Sequence, residues 1–322
     1  MHAILVDGDE LVWEKVQAPT LGPGEVRIDV HASAVNRADL AQRSGSYPPP
    51  PGASPILGLE CAGVVTEISE GVSRVQVGDS VCALLAGGGY AEQVVVAAGQ
   101  VLPIPAGFSF QQAAAVPEVF ATAYLNLFME AGLKRSERVL LHAGASGVGT
   151  AGIQLCKAFG NPCYVTVGSA AKLAACVELG ARGGSNRHDG PFTEQVVAWT
   201  EDSGFDVILD PVGGAYLPDN LKSLGPDGRL VVIGLMGGIA AELNLGLMMM
   251  KRLRVIGSTL RARPVAAKAA VMDALHGSVW PLLESGKIVP VIDCSFPIVE
   301  VEAAHAHMAA DANIGKLILQ IQ

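Results

Sequence analysis

The chain changes its hydrophobic rhythm near residue 111. Before that point apolar and polar residues alternate over short stretches. Glu25-Val26-Arg27-Ile28-Asp29-Val30 has a two-residue period, and 58–68 and 80–85 are further apolar runs between Gly/Pro turns. This pattern predicts strands of a barrel or curled sheet with one buried face. A helical pattern then occupies 113–131, and strand-like runs at 138–142, 163–167, 182–186, 206–210, 229–234 and 254–259 alternate with helical stretches. Strands separated by helices predict a doubly wound parallel sheet, because a parallel crossover needs a helix to bring the chain back. Beyond 261 the pattern predicts a long helix over 264–285, a strand at 292–297, a short helix and a last strand at 316–320. The extended patterning of 292–297 assigns this tail to the β-rich part. The predicted organisation is a β domain over 1–119, an α/β domain over 120–260, and a return to the first domain over 261–322.

One glycine run gives the α/β domain a chemistry. Gly147-Val148-Gly149-Thr150-Ala151-Gly152 follows the apolar Val139-Leu140-Leu141-His142 and opens a helical pattern through Ile153, Cys156 and Phe159, closed by Gly160. Strand, turn and helix form the context that makes such a pattern meaningful. In it Gly147 permits the tight turn, Gly149 lets a pyrophosphate approach the backbone, and Gly152 packs the helix on the sheet, with the helix N-terminus facing the phosphates. A dinucleotide is the expected ligand, and 120–260 the expected Rossmann domain. The following strand, Pro162-Cys163-Tyr164-Val165-Thr166-Val167, ends in Gly168-Ser169-Ala170-Ala171-Lys172 without an acid. An Asp or Glu there would hold the ribose 2′-hydroxyl of NAD and repel the 2′-phosphate of NADP. Ser169 and Lys172 offer a hydroxyl and a cation instead, and Arg187 is a further candidate cation. NADPH is therefore the expected cofactor; the competing reading makes Lys172 and Arg187 ordinary solvated charges. His142, at the tip of the first strand, reads as a hydrogen-bonded core residue rather than an acid or base.

Composition narrows the class. A chain of 322 residues that is 50% hydrophobic and 16% charged suits two domains with a large core. The formal net charge of −9, with no Lys/Arg cluster interleaved with aromatics, argues against nucleic acid as a partner. Asp7, Asp9 and Glu10 interrupt the start of the chain, and the longest apolar stretch, 230–241, stops at Glu242. No membrane segment is expected, and the expected location is cytoplasmic. Six cysteines without a Cys-x-x-Cys pair suggest neither a zinc ribbon nor a disulfide framework. Buried thiols are expected, with Cys163 and Cys176 the candidates for exposure and oxidation. Pro48-Pro49-Pro50-Pro51 reads as a stiff loop.

Four segments carry a resemblance: Asn36-Arg37-Ala38-Asp39-Leu40; the stretch from Gly45-Ser46-Tyr47 through the prolines to Gly58-Leu59-Glu60; His142-Ala143-Gly144-Ala145-Ser146-Gly147-Val148-Gly149; and Asn313-Ile314-Gly315-Lys316. Through them the chain resembles, over essentially its whole length, the medium-chain dehydrogenase/reductase superfamily, and within it the zinc-independent quinone oxidoreductases. Gly234-Leu235-Met236-Gly237-Gly238 and the proline run are most similar to the tumour-suppressor-inducible branch. The resemblance implies a GroES-like β-barrel domain beside a Rossmann doubly wound parallel sheet, with the active site in the cleft. The superfamily's alcohol dehydrogenases hold catalytic zinc with a Cys before the first helix and a Gly-His-Glu motif. Here Asn36 and Leu59 stand at those positions; leucine cannot coordinate and asparagine is a poor zinc ligand. No cysteine cluster between 84 and 101 supplies a structural zinc lobe. No metal is expected. Without a Lewis acid the acceptor must already be electrophilic, so the implied activity is hydride transfer from NADPH to a quinone, the proton coming from solvent or a hydroxyl. An NADPH-dependent enoyl or alkenal reductase acting on an enone, and a cofactor-binding protein without catalysis, are the rival readings.

The resemblance also nominates residues. Tyr47 either faces the cleft and donates a hydrogen bond to a quinone oxygen or packs on the proline run. Asn36 either donates its amide to substrate or cofactor or is a turn residue bonded to the backbone. Glu60 pairs with Arg37 or another cation as a structural bridge, a reading preferred over proton transfer. The cofactor-side candidates are Thr122; Gly144, Ser146, Gly147, Val148 and Gly149; Gly168, Ser169, Lys172 and Arg187; Gly234, Leu235, Met236 and Gly237; and Thr259, Leu260 and Arg261. Asn313 and Lys316 in the tail are either cofactor-side contacts or surface residues. A homodimer is expected, because strand 254–259 is an apolar sheet edge flanked by Met248, Met249 and Met250; the alternative is that these methionines fill the chain's own core.

Overall fold

The computed structural model describes all 322 residues, which fall into two compact units, 1–121 with 260–322, and 122–259. In chain order the first segment carries β1 (His2–Asp7), β2 (Glu10–Lys15), β3 (Glu25–Val35), β4 (Glu60–Ile68), β5 (Ser80–Leu84), β6 (Gln93–Ala97) and β7 (Val101–Pro103). The middle segment carries β8 (Val139–Leu141), β9 (Cys163–Val167), β10 (Gly183–Asn186), β11 (Phe205–Asp210), β12 (Leu224–Val232) and β13 (Arg254–Gly257). The tail adds β14 (Ile292–Pro297) and β15 (Lys316–Gln320).

In the first unit β14, β15, β3, β4, β5 and β7 lie side by side, with β6 also paired to β3, and β1 and β2 form a hairpin. The alternation read from the sequence is visible in β3, where Val26, Ile28 and Val30 are buried together with Val65, Val81, Val94 and Val96. Strand registry then concentrates polar residues at one end. β15 pairs antiparallel with β3 as Leu317 to Val35, and β4 pairs antiparallel with β3 as Cys61 to Ser33. Lys316, Asn36 and Glu60, each one position beyond or at the end of these ladders, therefore meet although they are remote in sequence.

Two expected helices are subdivided. The 113–131 stretch is realised as Phe110–Ala114, Pro117–Tyr124 and a π-helical Leu125–Glu130. Pro117 disfavours helical geometry at the residue before it. The tail helix is likewise Val265–Ser278 followed by Trp280–Glu284, with Pro281 in the first turn of the second piece. A proline ring there cannot continue the preceding ladder, so the helix breaks at Val279.

The second unit is a sheet of six parallel strands in the order β10-β9-β8-β11-β12-β13. Strand order reverses between β8 and β11. In such sheets the crevice outside the carboxyl ends at the reversal is where ligands bind. No helix is long and apolar enough to cross a membrane.

Candidate active site

At the carboxyl end of β8 the chain turns sharply at Ala143, whose φ is +53°, and enters the helix Gly147–Phe159. Ser146 caps that helix, its hydroxyl accepting from the Gly149 N–H at 3.1 Å, and Gly160 ends it in the left-handed conformation. The glycines therefore divide their work differently from the sequence reading. Gly147 is the first helical residue, and the tight turn is made by Ala143. A Cβ on Gly149 would lie 2.4 Å from the Gly144 carbonyl oxygen, and one on Gly144 would lie 2.5 Å from Val165 Cβ, so both are required by the loop's own packing. Gly152 does bring the helix against the sheet, since its Cβ position is 3.1 Å from Leu141 Cδ1. With the Gly149 N–H taken by the Ser146 cap, the N–H groups of Gly147 and Val148 point out of the helix's first turn, and together with the helix dipole they suit a phosphate.

At the end of β9 the Arg187 guanidinium lies over Gly168, 3.2 Å from where a Cβ would stand. Ser169 caps the helix Ala170–Leu179 by accepting from the Lys172 N–H at 3.2 Å. Lys172 is half-buried and close enough to Cys176 to draw its thiol downward, although burial dominates and pushes that thiol up to about 12. Cys163 and Cys176 are both buried, contrary to the suggestion that either is open to oxidation. His142 is buried between Thr166 Oγ1 at 2.9 Å and Asn220 Oδ1 at 2.7 Å. Asn220 donates its amide to Asp210, so its oxygen accepts from His142 Nε2 and His142 Nδ1 accepts the Thr166 hydroxyl. Burial lowers this imidazole to about 4, which keeps it neutral in the core. The turns after β11 and β12 lie backbone on backbone: Gly237 donates to Val212 O at 2.7 Å, and a Cβ on Gly234 would stand 2.7 Å from Pro211 O. Leu235 and Met236 between them are exposed. Thr122 O accepts from Asn126 Nδ2, and Thr259 is exposed beyond β13.

The first unit holds a closed polar cluster. The Lys316 ammonium donates to Glu60 Oε1 at 2.7 Å, Asn36 Oδ1 at 2.7 Å and Val35 O at 2.8 Å. Glu60 also accepts from Asn36 Nδ2 at 2.9 Å and from the Glu118 N–H at 2.8 Å. Both charged side chains are inaccessible, at 3% and 0% exposure. Neither Lys316 nor Asn313, whose amide bonds Gly315 O at 2.7 Å, is a surface residue. Arg37, the first partner considered for Glu60, pairs with Asp311 instead. Leu59 is buried.

Asn36 continues the cluster inward. Its N–H donates to Asp39 Oδ2 at 2.8 Å, Tyr90 donates its hydroxyl to the same oxygen at 3.1 Å, and Gly58 N–H binds Asp39 Oδ1 at 3.0 Å. Burial outweighs these bonds and raises the Asp39 carboxyl to about 6. Tyr90 also lies 3.3 Å from His305 Nε2. Beyond the cluster the buried Arg261 spreads its guanidinium over Ala86 O at 2.8 Å, Tyr47 O at 3.4 Å and Gln42 Oε1 at 2.5 Å, and stands 5.3 Å from the Tyr47 ring centroid. Burial raises the Tyr47 phenol, with Arg261 opposing. The phenol is a donor at neutral pH. Leu260, next to Arg261, is buried.

Residues 22–106 match the family model for the alcohol dehydrogenase GroES-like domain, and 147–276 the one for zinc-binding dehydrogenases. The chain is 30% identical to rat quinone oxidoreductase over 311 residues, covering 95% of this chain and 93% of that protein. It belongs to the medium-chain dehydrogenase/reductase superfamily. Within that superfamily it is an oxidoreductase, with a GroES-like first domain and a parallel Rossmann-like sheet. Escherichia coli quinone oxidoreductase, solved in complex with NADPH, superposes with a TM-score of 0.85 at 28% identity, covering 99% of both chains. A mycocerosic acid synthase-like polyketide synthase of Mycobacterium tuberculosis is 33% identical over 301 residues, 93% of this chain, but the chain spans only 14% of that protein's length.

Sequence reading missed Asp39, Tyr90 and His305 as members of the polar cluster. One signal was available: an acid three residues after Asn36 has the spacing with which a side chain reaches back to a helix's first backbone N–H.

Proposed function

We propose that the protein is an NADPH-dependent, zinc-independent quinone reductase. The observation that carries this reading is the Lys316–Glu60–Asn36 cluster. In the superfamily's alcohol dehydrogenases the positions of Asn36 and Leu59 belong to zinc ligands. Here a side-chain ammonium satisfies the one remaining carboxylate and the amide oxygen, while Leu59 offers no donor. A divalent cation does not fit among these residues, because it would meet a fixed positive charge and too few free lone pairs.

The residues at the other unit's carboxyl edge fit a dinucleotide carrying a 2′-phosphate. The Ser146-capped helix presents N–H groups to a pyrophosphate, and Arg187 with Ser169 and Lys172 provides cation and hydroxyl where an NAD-selective site would have a carboxylate. NADPH, when bound, supplies the hydride. The chain's own part is orientation: Tyr47 donates a hydrogen bond to a substrate oxygen, and Arg261 holds its ring and main chain in place. The acceptor must be electrophilic without metal assistance, which favours quinones.

NADPH oxidation measured with a quinone panel, an enone panel and no acceptor tests the reading. Quinone-dependent oxidation unaffected by chelators supports it. Turnover of enones alone would replace it with double-bond reduction, and no turnover with any acceptor would leave a cofactor-binding protein.

The same unit favours a homodimer. β13 is the free edge of the six-stranded sheet, and Met249 and Met250 beside it are 73% and 75% exposed. Two copies meeting about a two-fold axis would extend the sheet and cover the methionines. Light scattering should give twice the mass of one chain; a monomer at micromolar concentration would refute the pairing.

A further inference from the structure

On β14 and the helix that follows it, Asp293, Cys294 and His307, none of them used so far, bring three different ligand atoms within 4.8 Å of one another. We propose that they form a binding site for a borderline-soft divalent cation of the zinc type, with one coordination position open to water.

Neighbouring residues on a strand normally point to opposite faces, so adjacent Asp293 and Cys294 should not share a ligand. Their ligand atoms nevertheless lie close together, at a place where the register of β14 is irregular. Ile292 pairs with Lys316 and Cys294 with the very next residue, Leu317, so that Asp293 is the extra residue of a bulge. A bulge kinks the strand locally; Asp293 stays exposed and Cys294 half-buried, yet the end of the carboxylate reaches the edge where the sulfur lies. The helix Val301–Ala309 delivers the third donor. His307 Nε2 lies 2.9 Å from Asp293 Oδ2, and Cys294 Sγ lies 3.5 Å from the same oxygen. Tetrahedral zinc, with bonds of about 2.0–2.3 Å, separates its ligand atoms by roughly 3.3–3.6 Å. The two separations from the Asp293 oxygen, 2.9 and 3.5 Å, lie around that spacing, and the third pair is within 4.8 Å. The carboxylate is already oriented from behind, because Asp293 Oδ1 accepts the Ile314 N–H at 3.0 Å, the kind of support that fixes ligands in metal sites.

The donor set selects the ion. Thiolate, imidazole and carboxylate together suit zinc, cobalt or cadmium, whereas magnesium and calcium require oxygen donors. Side-chain exposures of 34% for His307 and 24% for Asp293 leave an entry path. Such a site joins β14 to the following helix and takes no part in the proposed hydride transfer.

Titration of the purified protein with zinc alone, followed by calorimetry and elemental analysis, and with cobalt alone, followed by absorption, tests the assignment. The expected result is one ion per chain and a cobalt–thiolate charge-transfer band. Cys294→Ser should abolish the band, and Cys294→Ser and His307→Gln should each weaken binding at least 10-fold. The other five cysteines are buried, so the band reports Cys294. Quinone-dependent NADPH oxidation by Cys294→Ser should equal that of the wild type. No saturable binding, or binding of equal affinity in both variants, would overturn the proposal, whatever the outcome of the acceptor panel.

Discussion

Replacing Lys316 with methionine keeps the length of the side chain and removes its charge. The ammonium has three acceptors, Glu60 Oε1, Asn36 Oδ1 and Val35 O, all within 2.8 Å and buried. Without it the Glu60 carboxylate keeps only two neutral donors, Asn36 Nδ2 and the Glu118 N–H, and the other two acceptors lose a charged donor. Breaking a buried pair from one side costs about 3–5 kcal/mol. Lys316→Met should therefore destabilise the first unit by that amount. Glu60→Gln in the same chain should recover part of the loss, with a coupling energy of about 2 kcal/mol or more. Urea unfolding followed by fluorescence is a suitable assay in a Trp199→Phe background, because Trp13 and Trp280 then report only residues of the first unit. A loss below about 1 kcal/mol, or additive single and double variants, would refute the view of this cluster as a mutually dependent set.

Arg187→Ala and Lys172→Ala should each weaken NADPH binding about 10- to 150-fold, the value of one charge-assisted contact, and leave NADH binding nearly unchanged; equal losses for both cofactors in equilibrium titrations would exclude a phosphate role. Gly149→Ala forces a Cβ to within 2.5 Å of the Ala143 and Gly144 carbonyl oxygens, so it should destabilise the second unit by about 1–3 kcal/mol in urea and impair dinucleotide binding. His142 falls to about 4 in the fold from an ordinary value of 6.5, so its stabilising effect is full above pH 6.5 and is lost as the pH drops toward 4. Asp39, raised to about 6, acts in the opposite sense between pH 6 and 3.8, so the imidazole is best isolated by mutation. The stability lost by the wild type between pH 7 and 4.5 should exceed that lost by His142→Gln by about 2 kcal/mol, and parallel pH profiles would contradict the assignment.

Elements with a strong period were legible in the sequence. The pattern predicts the final strand at 316–320 and the second Rossmann strand at 163–167, and both form there. Both are apolar runs whose pattern is local. What the sequence did not reveal depends on registry or on local backbone detail. Lys316 and Asn36 are 280 positions apart, and nothing in either segment marks the other as its partner until β15 and β3 are paired. The positive φ falls on Ala143 rather than on a glycine, because the glycines are needed where chain crosses chain. β14 keeps its alternation through Asp293, so neither the register shift there nor the approach of His307 from the following helix is marked in the sequence pattern. The division of the tail helix could have been read from Gly277-Ser278 and Pro281, which stand on either side of the break.

The placement of β15 has a consequence for how the protein is made. Unit 122–259 is continuous in sequence, so its parallel sheet has all its strands as soon as β13 leaves the ribosome. The first unit must wait. Until β15 is synthesised, β3 lacks the neighbour that pairs with residues 32–35, Glu60 lacks the ammonium that neutralises it, and the Asn36 amide oxygen lacks its donor. A contact spanning this much chain is slow to form, so the nascent protein carries an unfinished sheet edge and an uncompensated carboxylate throughout the synthesis of the other unit. Lys316 thus acts as a closing clasp: the polar cluster of the first unit is complete only in chains whose translation has passed it, and shortened products are left open to proteolysis.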